Sequence, residues 1–140
     1  MDKTQEAQLL KVAEDKGAEL VVRCLGSRTD VIVTTDEIVG NGMVRLKFDN
    51  DSPRRENWIE AQSEAALFSR DPIHLARKLA ATGTLMFEYH PFQKSPITVE
   101  FNLAGLADHL DTVATACNWA KIDAAKAQAV RNAKAAAERM

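Results

Sequence analysis

Histidine, cysteine and aromatic residues are scarce in this chain, and each scarcity closes a line of chemistry. Three histidines, His74, His90 and His109, lie scattered with no HxxxH spacing, and neither Cys24 nor Cys117 belongs to a CxxC pair. Those spacings are what structural and catalytic zinc sites need, so no metal site is expected. Two cysteines are too few to frame a small disulfide scaffold. No GxSxG, P-loop or dinucleotide fingerprint occurs, so no catalytic residue and no cofactor is assigned. No apolar run approaches the roughly 20 residues that cross a bilayer. The first residues, MDKTQEAQLLKVAEDKG, lack the apolar stretch of a secretory signal. As written, the chain is expected in the cytoplasm, or in the periplasm if a leader has been removed. A net charge of −2 supplies no strongly basic surface and argues against nucleic acid as a partner.

What is present reads as one ordinary globular unit. The 140 residues are 46% hydrophobic and 27% charged, enough for a real core. Residues 2–16 read as a short helix, capped by Asp2 with Gln5 three residues on, ended by Gly17, and carrying Leu9, Leu10 and Ala13 on its apolar face. Strands follow. AELVVRCL places Leu20, Val22 and Cys24 on one side, and TDVIVTT is rich in β-branched residues. The intervening GSR predicts a hairpin. VGNGM reads as the next turn, with Gly40, Asn41 and Gly42 able to tolerate positive φ. MVRLKFD alternates, with Val44, Leu46 and Phe48 inward. DNDSPRREN reads as a polar loop and WIEA as a brief strand.

The second half has sharper punctuation. SRDPIHLARKLAATG is a helix with Asp71 at its N-cap, Pro72 at its first position and Gly83 as its stop. TLMFEYH and ITVEF are strands, and the prolines of PFQKSP keep that link out of the sheet. In FNLAGLADHLDTVATACNW, Leu103, Leu106, Leu110, Val113 and Cys117 recur at helical spacing and form a buried stripe. Residues 120–140 follow residues 1–119 as an alanine-rich helical tail. From Lys121 to Met140 it holds five basic and two acidic residues, a net charge of +3. The fold class is therefore α+β: an antiparallel sheet or small sandwich covered by two or three helices, with a C-terminal helical tail.

Candidate chemistry is thin. Cys117 near the end of a helix is poorly placed for a reactive thiolate, because the helix dipole disfavours negative charge there. Cys24 shares its face with leucine and valine. Both cysteines point to the core, where they either pair or remain buried thiols. A bond would close a loop of over ninety residues, worth roughly 4–5 kcal/mol in the entropic account. DNDSP lacks the sixth-position glycine and twelfth-position glutamate of a calcium loop and reads as turn chemistry. Arg54 and Arg55 sit where they could bind an anion or an acidic partner. Lys121, Lys126, Arg131 and Lys134 give the tail a basic character suited to a partner or to self-association. Trp58 and Trp119 read as core anchors.

Taken together, VVRC, TDVIV, VRLKFD, Trp58 with Ser63 and AALF, DPIHLARKL, LMFEYHPF and PITVEFNLAGLADHLDTVATACNW form a longer pattern. It resembles VasI/TagO-type proteins associated with type VI secretion, and a wider set of small bacterial and phage proteins. The resemblance covers roughly residues 19–119, and its most specific part is Phe101, Leu103, Gly105 and Leu106 with Cys117 and Trp119. It implies an accessory protein that is typically exported, with Cys24 and Cys117 able to pair across the fold, and it carries no catalytic residues. The expected function is a non-enzymatic accessory or binding module acting through protein–protein contact. The alternative is a phage or mobile-element protein that binds and inhibits a host defence complex.

Overall fold

A computed structural model describes residues 8–61 and 65–138. Two antiparallel sheets and three helices make up an α+β fold. In chain order the elements are β1 (Gln8–Asp15), β2 (Ala18–Leu25), β3 (Arg28–Thr34), β4 (Met43–Phe48), β5 (Arg54–Asn57), β6 (Ile59–Glu60), β7 (Ala66–Phe68), α1 (Pro72–Ala80), β8 (Thr84–Tyr89), β9 (Ile97–Asn102), α2 (Leu106–Ala116) and α3 (Trp119–Glu138). The first sheet runs β1-β2-β3-β7-β6 and the second β5-β4-β8-β9.

Two hairpins start the fold, and the first corrects the expectation of an N-terminal helix. Residues 8–15 are a strand, while the expected cap at Asp2 and Gln5 lies outside the described residues. The cause is the turn. Lys16 and Gly17 both take positive φ, 52° and 80°, which is the two-residue geometry that matches the twist of paired strands. Asp15 then faces Ala18, and the chain zips back along β2. Gly26 and Ser27, at 56° and 66°, repeat the device between β2 and β3.

Each sheet turns one face to a shared core, and the first sheet also buries Val21, Ile32 and Ala66 in a small cluster on its other face. Ala18, Leu20, Val22 and Cys24 of β2 join Val31 and Val33 of β3 in a core shared with Val44, Leu46 and Phe48 of β4. Leu85, Phe87 and Tyr89 of β8 and Val99 and Phe101 of β9 complete the second sheet's contribution. Phe87 is the hub, 5.1 Å from the Trp58 ring and 6.5 Å from both Tyr89 and Phe101. Leu75, Ala76 and Leu79 of α1, with Leu106, Leu110 and Val113 of α2, close the core. The predicted stripe of α2 is present, but the helix starts later than its pattern suggests. Gly105, at φ 88°, turns the chain into Leu106, so Leu103 is buried ahead of the helix.

Three further local expectations change. Residues 54–57 of the expected polar loop form β5, paired to β4. Asp71 occupies the N-cap of α1, but its side chain makes no capping hydrogen bond. Gly83 does not end that helix, which stops at Ala80; its N–H is instead held by the Asp49 carboxylate at 3.1 Å, as is that of Thr84 at 2.9 Å. Asp49 is thus a clamp between the end of β4 and the start of β8.

Gly40, Asn41 and Gly42 do not use positive φ. Gly42 is required for a different reason. A Cβ built there would lie 2.0 Å from the Trp58 carbonyl oxygen, while the Gly42 carbonyl accepts the Trp58 N–H at 2.7 Å. Gly42→Ala must push two backbones apart at the junction of the sheets. We expect a loss of about 1–3 kcal/mol, the usual cost of forced overpacking, read as a lower urea midpoint at unchanged slope. An unchanged midpoint would show that this crossing is slack.

Candidate functional site

The structure divides the candidate residues into three places. Cys24 and Cys117 are bonded to each other, with their Cα atoms 5.6 Å apart and both side chains buried. The bridge ties the end of α2 to the edge of the β2–β3 hairpin. Beside it, the Trp119 indole N–H donates to Thr29 Oγ1 at 2.8 Å, and Thr29 pairs with Cys24 across the strands. Arg77 of α1 lies over the Trp119 ring, 5.1 Å from its centroid, and forks onto both carboxylate oxygens of Asp123 at 3.1 and 2.7 Å. These contacts fix the first turn of α3. They are architectural, since every polar group in them already has a partner.

Lys121, Lys126, Arg131 and Lys134 lie on the rest of α3, exposed to solvent. Beyond half-buried Ile122, the described part of that helix is exposed on all sides, Val130 included. The expected alanine seam docks on nothing among the described residues.

Arg54 and Arg55 fare differently. They line a cleft of about 490 Å³ between β5 and the start of α1, together with Arg70, Asp71, His74 and Trp58. Arg70 was not singled out in the sequence, and His74 was weighed there only as a metal ligand or triad member. Their only signal is proximity to the well-marked start of α1, which does not say what the helix faces. Inside the cleft the charges are unequal in availability. The Arg54 guanidinium pairs with Glu56 at 2.9 Å and lies over the Phe48 ring. Glu56 also accepts the Trp58 indole N–H at 2.9 Å, so both its oxygens are engaged. Arg70 donates to the Asn57 carbonyl at 2.8 Å. Arg55 has no ion pair among the described residues. The cleft therefore presents a net positive charge beside an edge strand.

A second groove of about 560 Å³ separates α2 from the root of α3. Its one cation, Arg77, is committed to Asp123 and Trp119, so it offers an incoming group less. His74, His90 and His109 sit on α1, after β8 and on α2 respectively, and among the described residues no three His, Cys, Asp or Glu side chains converge as metal ligands. No helix among the described residues is long and apolar enough to cross a membrane. No protein-family model matches this chain, and no curated protein matches it.

The Arg77–Asp123 fork yields a pH prediction. The hydrogen bonds from Arg77 hold the Asp123 carboxyl below its ordinary value, helped by the charges of Arg77 and Lys126. A carboxylate with a lowered folded-state pKa adds stability above its unfolded pKa and loses it as pH falls through the folded one. Asp123→Asn should therefore destabilise the protein near neutral pH and converge with the parent at low pH, in urea titrations at matched salt. Both groups are about half exposed, so the difference should shrink as salt rises. A gap that persists in strong acid would mean that the fork is not its source.

Proposed function

We propose that this protein is a non-enzymatic binding module that works by protein–protein contact, with the β5–α1 cleft as its contact surface. The observation that carries the reading is the gathering of Arg54, Arg55, Arg70 and His74 on one cleft while the chain as a whole is slightly acidic. Positive charge collected on a scaffold of opposite net sign is a selective feature, because it steers an acidic partner to one place. Arginine also supports planar, two-pronged recognition of carboxylates.

The remaining polar groups support binding over chemistry. Of the cleft's two acids, Glu56 is consumed by Arg54 and Trp58, and among the described residues the Asp71 carboxylate is hydrogen-bonded to no nucleophile or base. The Cys24–Cys117 bond supports residence in an oxidising compartment, where disulfides persist. That fits the exported, accessory role implied by the resemblance to VasI/TagO-type proteins.

The test is capture by the full chain, disulfide intact, from cells of its source, read by mass spectrometry. Arg55→Glu with Arg70→Glu should lower recovery of the specific partner by about 10-fold or more, equivalent to ~1.4 kcal/mol, at an unchanged thermal midpoint. Deleting residues 127–140 should leave recovery intact. If the tail deletion abolishes capture and the charge reversal does not, the contact surface is α3 and the cleft reading fails.

A further inference from the structure

We propose that the outer edge of β5 takes up an extended segment of the partner as an added strand, and that this segment alternates acidic with apolar residues. The proposal rests on the binding-module reading above and names how the same surface engages its partner.

The sheets have four edges, and they are not equally closed. β1 and β9 lie against each other. There the Asp15 carboxylate accepts the Glu100 N–H at 2.8 Å, and the Lys16 ammonium donates to the Thr98 carbonyl at 3.0 Å. Side chains thus occupy edge groups that would otherwise attract a guest. β6 is only two residues long. β5 pairs with β4 alone among the described residues.

The register says which groups of β5 face outward. Trp58 N–H bonds to Gly42 O, so the pair Gly42 and Trp58 is a hydrogen-bonded one. Antiparallel pairs alternate. Val44 with Glu56 and Leu46 with Arg54 then also exchange hydrogen bonds, and the backbone groups of Arg55 and Asn57 point away from β4. The hydrogen bond from Arg70 to the Asn57 carbonyl, which comes from outside the sheet, agrees with this direction. Among the described residues, the Arg55 N–H, the Arg55 C=O and the Asn57 N–H remain without a partner. One guest residue opposite Arg55 would exchange two hydrogen bonds with it, as strand addition requires.

Charge specifies the guest. Arg55 stands directly across from Arg45 on the outer face, an arrangement that costs stability between neighbouring strands. Glu88 opposes Arg45 on its other side. Among the described residues nothing comparable opposes Arg55, because its second neighbour is the open edge. An acidic residue on the guest strand would occupy that vacant cross-strand position. The guest's alternate residues would turn toward α1, where Trp58 and Leu75 give the cleft its apolar wall beside the polar His74 and Ser69. An acidic–apolar alternation follows.

The test begins with a random displayed peptide library selected on the full, disulfide-intact chain. Selected peptides should alternate acidic and apolar residues, slow exchange at the Arg55 and Asn57 amides, and bind more weakly as salt rises. Arg55→Pro removes the outward N–H without taking a hydrogen bond from the β4 ladder, a position where an edge strand tolerates proline. It should weaken binding by about 10-fold more than Arg55→Ala, which removes only the guanidinium, a gap of ~1.4 kcal/mol. If Arg55→Pro lowers the urea midpoint, the same comparison is made by N-methylating the guest amide opposite Arg55, which should weaken binding as much. Equal binding by the proline and alanine variants and by methylated and parent peptides would overturn strand addition, as would protection at other amides or failure to recover any peptide tighter than about 100 µM. Partner capture that still falls on reversing Arg55 and Arg70 would show that the cleft reading stands without the strand.

Discussion

Trp58 is the point on which both sheets depend. The chain leaves the second sheet at Asn57 and enters the first at Ile59, so this one residue spans the change. Its ring is almost wholly buried against Phe87, and its two N–H groups are taken by Gly42 and Glu56. A buried indole without those acceptors would carry an unmet desolvation cost. With them, the side chain is held in one orientation, and the direction of β5 is fixed with it. The cleft is a consequence: β5 must run past the start of α1 because its last residue is followed by an anchor that cannot move. The same contact explains a glycine at position 42, where no side chain fits.

The disulfide performs a different task. Both sheets already share a core, so Cys24–Cys117 joins no separate units. It closes a separation of 93 residues and sets the end of α2 on the β2–β3 hairpin, from which Trp119 reaches Thr29. Asn118, at φ 52°, breaks the helix between them and lets α3 leave in a new direction. Only its first turn is tied down, through Trp119 and Asp123. Alanine buries too little area to fasten the rest, which leaves a 20-residue helix whose stability rests on propensity and on pairs such as Gln128 with Asn132.

How far the sequence spoke for itself follows from where apolar periodicity was present. β2, β3, β4, β8, β9 and α1 carried it and were legible, as was the stripe of α2 that delivers Cys117 to the core. Two failures have different causes. β5 reads Arg-Arg-Glu-Asn, and its inward side chains, Arg54 and Glu56, satisfy each other across Phe48 and Trp58 instead of burying carbon. A strand with no apolar alternation leaves no periodic trace. β1 failed because its charges allowed a helix, and the decision lay in Lys16–Gly17, a turn whose first residue is not one of the usual left-handed formers. Arg54 and Arg55 were noticed as charges. Their meeting with Arg70 and His74 is tertiary, set by Trp58 and by the placement of α1, and neither is written locally.

An open strand edge is a hazard that folded proteins ordinarily suppress, which makes the asymmetry among these edges informative. At β1 and β9 the chain spends an aspartate and a lysine on edge backbone groups. At β5 it places arginines instead. Unpaired positive charge on an edge repels a second copy of the same edge while leaving the backbone groups available. The arrangement therefore discriminates: it protects against self-pairing, yet remains open to a strand of opposite charge. A fully closed edge would protect equally well, and Asp15 and Lys16 show that this chain has the means to close one. Under the proposed binding role, an accessible edge beside a positively charged cleft is the feature a recognition surface requires.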